Sequence, residues 1–233
     1  MLLQDLLDRL ATGELSQHKY GSTGEIREED FPALLNQINL GLTNLHSYFP
    51  ISEKEVMIQQ FDHITEYRIN SKYALSSDDV SINYKWVIDS EYHPFLDDIV
   101  RIERVYNEAG EELMINNEND PNSVFTTAWD TLQIPYPSIE NAIAVIYRAK
   151  HVMLTTDMEP KDTEVMIPPV LEEALQAFVA SRCFVSLGNA ASAGLATYYS
   201  QRYQQQVDHV ERYNLLQSSS GDTNTKLTGK GFI

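Results

Sequence analysis

Phe31-Pro32-Ala33-Leu34-Leu35-Asn36-Gln37-Ile38-Asn39-Leu40-Gly41-Leu42-Thr43-Asn44-Leu45-His46-Ser47-Tyr48-Phe49-Pro50, followed by Ile51-Ser52-Glu53-Lys54-Glu55-Val56-Met57-Ile58, holds the change of period on which the fold turns. Leu34, Leu35, Ile38, Leu42 and Leu45 fall on one side of a 3.6-residue helix, and Phe49-Pro50 stops it. The acidic trio Glu28, Glu29 and Asp30 ahead of Pro32 suits a helix start, where carboxylates meet the positive end of the peptide dipoles. From Glu55 onward the period becomes extended. Val56-Met57-Ile58 and Thr65, Tyr67 and Ile69 flank Asp62-His63, a pattern that predicts a hairpin.

Working outward, Leu2, Leu3, Leu6, Leu7 and Leu10 predict a first helix closed by Gly13, and Gly21-Ser22-Thr23-Gly24 predicts a loop. Further β-rich runs are Ile82 to Ile88, Ile99 to Tyr106, Glu112 to Ile115 and Ala142 to Val152. Asn107-Glu108-Ala109-Gly110 supplies turn chemistry between two of them. Pro168-Pro169 opens a third helix, with Val170, Leu171, Ala174, Leu175, Phe178, Val179 and Cys183 on one side and Gly188 as its stop. A fourth starts in the small residues Asn189 to Gly194 and runs through Tyr198, Tyr199, Tyr203 and Tyr213 to about Leu216. The expected fold is therefore α+β. A four-helix bundle from residues 1–50 and 161–216 carries a long, mainly antiparallel β insertion over 51–160, and an extended C-terminal tail spans 217–233.

The composition narrows the function. The 233 residues carry 34 acidic against 17 basic side chains, a net charge of −17 that repels a phosphate backbone and argues against a nucleic-acid affinity protein. It leaves room for a surface past which nucleic acid slides. The one cysteine, Cys183, excludes an intrachain disulfide and any multi-thiolate metal site, and its place on the apolar side of a helix predicts an inert thiol. The opening Met1-Leu2-Leu3-Gln4-Asp5 lacks a basic leader, and the apolar run Ala142 to Tyr147 is strand-sized, so a soluble protein made in a reducing compartment is expected, without a membrane.

Chemistry-bearing patterns are sparse. His18, His46, His63, His93, His151 and His209 are scattered and form no HExxH. Asn117, Asn119 and Asp120 resemble the start of a calcium loop, but Asn122 stands where glycine is needed and no acid closes the loop, so a solvated turn is expected. Asp97-Asp98, Glu111-Glu112 and Glu172-Glu173 are adjacent carboxylates that nothing selects for acid–base work. Gly229-Lys230-Gly231 is only superficially like a phosphate loop, since no Ser or Thr follows Lys230. No catalytic residue, metal or cofactor is expected. For Tyr198, Tyr199, Tyr203 and Tyr213, on a weakly charged helix with Gln201, Gln204, Gln205 and Gln206, an interface between subunits and ordinary intrachain packing both stay open.

The order of segments resembles the head-to-tail adaptor (connector) proteins of tailed bacteriophages, of the tail tubular protein A type. Phe31 to Leu42 with Leu45 to Phe49 looks like their second helix. Pro94-Phe95-Leu96-Asp97-Asp98-Ile99-Val100-Arg101-Ile102 through Gly110 looks like the strand and turn of their β insertion. Ile167-Pro168-Pro169 to Val185, with Gly188 to Gln206, looks like their paired C-terminal helices.

The resemblance implies a non-enzymatic virion protein at the head–tail junction, made in the host cytoplasm. It further implies a homo-oligomeric ring, commonly a dodecamer, between the portal protein and a tail or nozzle protein, with DNA passing through the lumen unbound. Alternatives are another tail ring, such as a tail terminator or nozzle component, and a hydrolase using carboxylates such as Asp97 and Asp98. In the tail, Lys226 and Lys230 against Asp222 make a segment of net +1 on a body of −18, ending in the apolar pair Phe232-Ile233. Extended, it reaches roughly 50 Å. Ser218, Gly221, Lys226, Lys230, Phe232 and Ile233 are thus the candidate portal-binding residues, expected to order against the portal.

Overall fold

The protein is described here by a computed structural model covering residues 1–21 and 24–216. Four helices are present: α1 (Leu3–Thr12), α2 (Phe31–Tyr48), α3 (Glu172–Ser186) and α4 (Ala190–Arg212). Eight strands join them: β1 (Glu53–Gln59), β2 (Glu66–Arg68), β3 (Val87–Ile88), β4 (Ile99–Tyr106), β5 (Glu112–Leu113), β6 (Phe125–Ala128), β7 (Thr131–Gln133) and β8 (Ala142–Ala149). The strands pair antiparallel in two sheets, of order β3-β1-β8-β4-β5 and β2-β7-β6.

The expectation of a four-helix bundle is overturned. Helices, short 3-10 turns included, account for only 34% of the described residues, against eight strands in two sheets. The physical reason lies in the helices themselves. Ten-residue α1 is too short to line a bundle, and only α3 and α4 pack along their lengths. Non-helical residues Leu154, Val165 and Ile167 complete the helical core instead.

The chain divides into two compact units. Among the described residues, one comprises those of 1–45, 49–51 and 153–216; the other comprises residues 46–48 and 52–152. In the first, the predicted stripe of α2 is realised, with Leu34, Leu35, Ile38, Leu42 and Leu45 all buried. Each such side chain contributes roughly 2 kcal/mol on removal from water. Gly41 is where α2 meets α3 closely: a Cβ there would lie 2.7 Å from Leu175 Cδ1 and 3.0 Å from Phe178 Cδ1. At the start of α2, Asp30 pairs with Arg27 at 2.5 Å and makes no side-chain cap, and the first turn holds no acid. The acidic trio therefore precedes the helix. Asn39 fixes the irregular segment by donating to the Leu154 carbonyl at 2.8 Å and accepting the Leu154 N–H at 3.0 Å.

In the second unit, β8 is the central strand, pairing with β1 from Glu53↔Arg148 to Gln59↔Ala142. Its Ile143, Val145, Tyr147 and Ala149 point inward in strict alternation. On its other side β4 carries two extra residues, Val100 and Glu103, as bulges in the register. The predicted hairpin of Val56–Ile58 with Thr65–Ile69 does not form: β1 pairs with β3 and β8, while β2 joins β7 in the other sheet. The link between them is tied elsewhere, since Asp62 accepts the Ile139 N–H at 2.7 Å and Tyr67 Oη accepts the Phe61 N–H at 2.8 Å. Of the run Ile82 to Ile88 only Val87–Ile88 is strand, and β6 and β7 fall outside every predicted β-rich run.

Arg148 serves the last turn of α2, whose residues 46–48 belong to this unit. Its Nη1 donates to the carbonyls of Ser47 and Tyr48 at 2.8 and 3.1 Å, supplying positive charge to a helix C-terminus. Its Nη2 lies 2.7 Å from Glu103 Oε1. That contact lacks hydrogen-bond alignment, so Glu103 Oε1 and Arg148 Nε have no directed partner and the attraction is Coulombic.

Candidate functional site

The last two helices position the predicted tyrosines. Gly188, at φ 64°, ends α3 in the left-handed region that glycine tolerates best. Asn189 then caps α4, its Oδ1 accepting the Ser192 N–H at 2.8 Å. From Asn189 to Val207 the only charged residue is Arg202. That guanidinium is held internally, 2.7 Å from Glu173 and 3.4 Å from Glu14. The Glu173 hydrogen bond raises its pKa further above the ordinary value.

The four tyrosines separate into two pairs. Tyr199 stacks on Phe184 with ring planes 5° apart and donates to the Glu14 carbonyl at 3.3 Å. Burial, then the Glu14 carboxylate, raises its pKa. Tyr203 packs edge-on to Phe178 at 5.3 Å and donates to Asn44. Tyr199 and Tyr203 are thus engaged by their own chain. Tyr198 and Tyr213 are 56% and 61% exposed, and are the two that a neighbour can reach. A groove of about 660 Å³ lies between the end of α3 and the start of α4, lined by Val185, Ala190, Ala193, Thr197 and Gln201 among others. Val185 is itself 61% exposed. Helical spacing made the tyrosines legible, whereas the groove depends on how α3 turns into α4. Ser218, Gly221, Lys226, Lys230, Phe232 and Ile233 lie outside the described residues.

The chemistry-bearing residues are mostly committed elsewhere. Asp97 accepts the Ser71 N–H at 2.6 Å and also binds the Ser71 hydroxyl. Asp98 binds Lys54 at 2.5 Å and the Tyr147 hydroxyl at 2.9 Å. The two carboxylates serve different partners. Burial, reinforced by Asp98, raises the Tyr147 pKa. Glu172 pairs with Arg9 at 2.6 Å, and Glu173 with Arg202. In the calcium-like stretch, Asn117 and Asp120 accept the N–H groups of Asn119 and Asn122 at 3.1 and 2.9 Å, closing turns of their own.

His18 is fully buried. Its Nδ1 accepts the Tyr20 N–H at 3.2 Å, which assigns the remaining proton to Nε2. Nε2 has no directed hydrogen bond, and the nearby Cys183 carbonyl only partly favours the charged ring. Burial lowers the His18 pKa. The Cys183 thiol is pushed up to about 12 by burial, which makes it a poor nucleophile. Among the described residues no three His, Cys, Asp or Glu side chains are grouped to hold a metal ion, and no helix is long and apolar enough to cross a membrane. In comparisons with known proteins, no family model and no curated sequence matches this chain.

Proposed function

We propose that this chain is a structural, non-catalytic component of a tailed-bacteriophage particle: a head-to-tail adaptor that assembles as a ring between the portal and the tail. The supporting observation is the α4 surface. A chain of net charge −17 repels its own copies, and the stretch least opposed to their approach is Asn189 to Val207, whose single charge is internally paired. Tyr198, Val185 and the adjoining groove give that stretch apolar contact area, and Tyr213 extends it toward the end of the helix. In this reading the acidic remainder of the surface lets DNA pass through the lumen without adhesion, and residues 217–233 reach the portal protein.

The test is to mix the purified chain with portal-bearing, tailless heads and locate it by electron microscopy. A ring at the portal vertex is the expected result. Density only farther down the tail would instead assign a terminator or nozzle role, and no particle-associated density would end the proposal. Tyr198→Glu should keep the fold, checked by circular dichroism, and prevent ring closure.

A further inference from the structure

We propose that the groove between β4 and β6 receives an extended, acidic peptide segment of another protein as an added strand. Two sheet edges line this groove, which has a volume of about 490 Å³. β4 contributes Arg101, Ile102 and Glu103, the last already held by Arg148, and β6 contributes Thr126 and Ala128, with Ile115, Asn116 and Trp129 also in its wall. β5 covers β4 only at Val105 and Tyr106. Ile115 bridges Val124 one step farther along, and then Asn116, at φ 57°, turns the chain out of the lane. The lane that β5 begins thus continues without a paired strand beside residues 101–104 of β4. That length, roughly 13 Å, suits about four residues of strand.

The edges are prepared for this. The Asn116 side chain already acts as a strand neighbour of β6, its Oδ1 accepting the Thr126 N–H at 2.9 Å. The bulges at Val100 and Glu103 bend β4. Such irregularity discourages wholesale edge-to-edge pairing of two sheets.

Charge selects the occupant. Arg104 and Arg148 are paired with Glu53 and Glu103. Arg101 and Lys150 make no ion pair among the described residues, and Lys150 lies 5.7 Å from the centre of the Trp129 ring. Two uncompensated cations beside a 54% exposed tryptophan, in a chain of net charge −17, match an acidic strand with an apolar side chain for the indole. This inference does not rest on the adaptor reading.

The probe is a short fluorescein-labelled peptide alternating valine and glutamate, titrated against the full chain by fluorescence anisotropy. Saturable binding is expected, with amide exchange slowed over residues 101–104. Arg101→Glu, at an exposed position, should weaken binding at least about tenfold. Replacing the peptide's glutamates by lysines should do the same, and backbone N-methylation should abolish binding. Equal binding of the lysine peptide, or no saturation below about 1 mM, overturns the proposal. So does a concentration-dependent dimer that Arg101→Glu dissolves, because the groove then belongs to a second copy.

Discussion

Replacing Arg148 by methionine should unfold the β unit at much lower denaturant. The substitution keeps most of the aliphatic stem and removes three interactions. Two are charge-assisted hydrogen bonds to the Ser47 and Tyr48 carbonyls, at 2.8 and 3.1 Å, and the third is the 2.7 Å attraction to Glu103. A hydrogen bond from a charged donor contributes about 1.5–3 kcal/mol net, and stripping one partner from a buried pair costs about 3–5 kcal/mol. The Arg148 side chain is 11% exposed and that of Glu103 22%, so water reaches the abandoned carboxylate and lowers the second figure. The helix-end carbonyls also recover some hydration. The expected loss is about 2–3 kcal/mol, or a drop of about 1–2 M in urea midpoint. Trp86 and Trp129 are the only two tryptophans and both lie in this unit, so intrinsic fluorescence reports it directly. Adding Glu103→Leu to Arg148→Met should restore part of the loss, since it removes the unpaired acid. A loss under about 0.5 kcal/mol, or strict additivity of the two changes, would show that the guanidinium is replaceable by solvent.

Three further outcomes are expected. His18 has a lowered folded pKa, so its contribution to stability is complete above its unfolded value of 6.5 and is lost as pH falls through the window below it; helical unfolding followed by circular dichroism should show this acid sensitivity in wild type and not in His18→Gln. Gly41→Val should destabilise the helical unit by about 1–3 kcal/mol through overpacking against Leu175 and Phe178, and a thermal midpoint equal to or above wild type would contradict the close approach. Tyr199→Phe should cost about 1 kcal/mol by removing its bond to the Glu14 carbonyl while Tyr198→Phe costs nothing, so equal urea midpoints for the two variants would argue against the division of the tyrosines.

The helices were the legible part of the sequence, because their buried side chains recur at a period that short-range pattern exposes. Leu34 to Leu45 in α2 and the inward Ala174, Leu175, Val179 and Cys183 of α3 are examples. What pattern alone could not reveal was the partner of each element. Thr65, Tyr67 and Ile69 looked like the return arm of a hairpin from Val56–Ile58, yet Tyr67 sits opposite Leu132, far along the chain. β7 is three residues long and β6 four, too short for alternation to rise above background. Tyrosine spacing likewise identified α4 as a surface of interest. It could not distinguish Tyr198, which faces out, from Tyr199, whose ring depends on a phenylalanine in another helix.

The helical unit is assembled from both sides of the inserted β unit, and this sets an order on the events of synthesis. Asn39 must wait for Leu154, 115 residues later, before its two hydrogen bonds can close. At about 5–20 residues per second the nascent α2 presents its leucine stripe to solvent or to a chaperone for roughly 6–23 s. The β unit faces a shorter version of the same delay, because its central strand β8 is the last of the eight to be made. A ribosome-bound chain halted before Ala142 therefore lacks the strand that joins β1 to β4, and one halted before Leu154 still has an unclosed helical core.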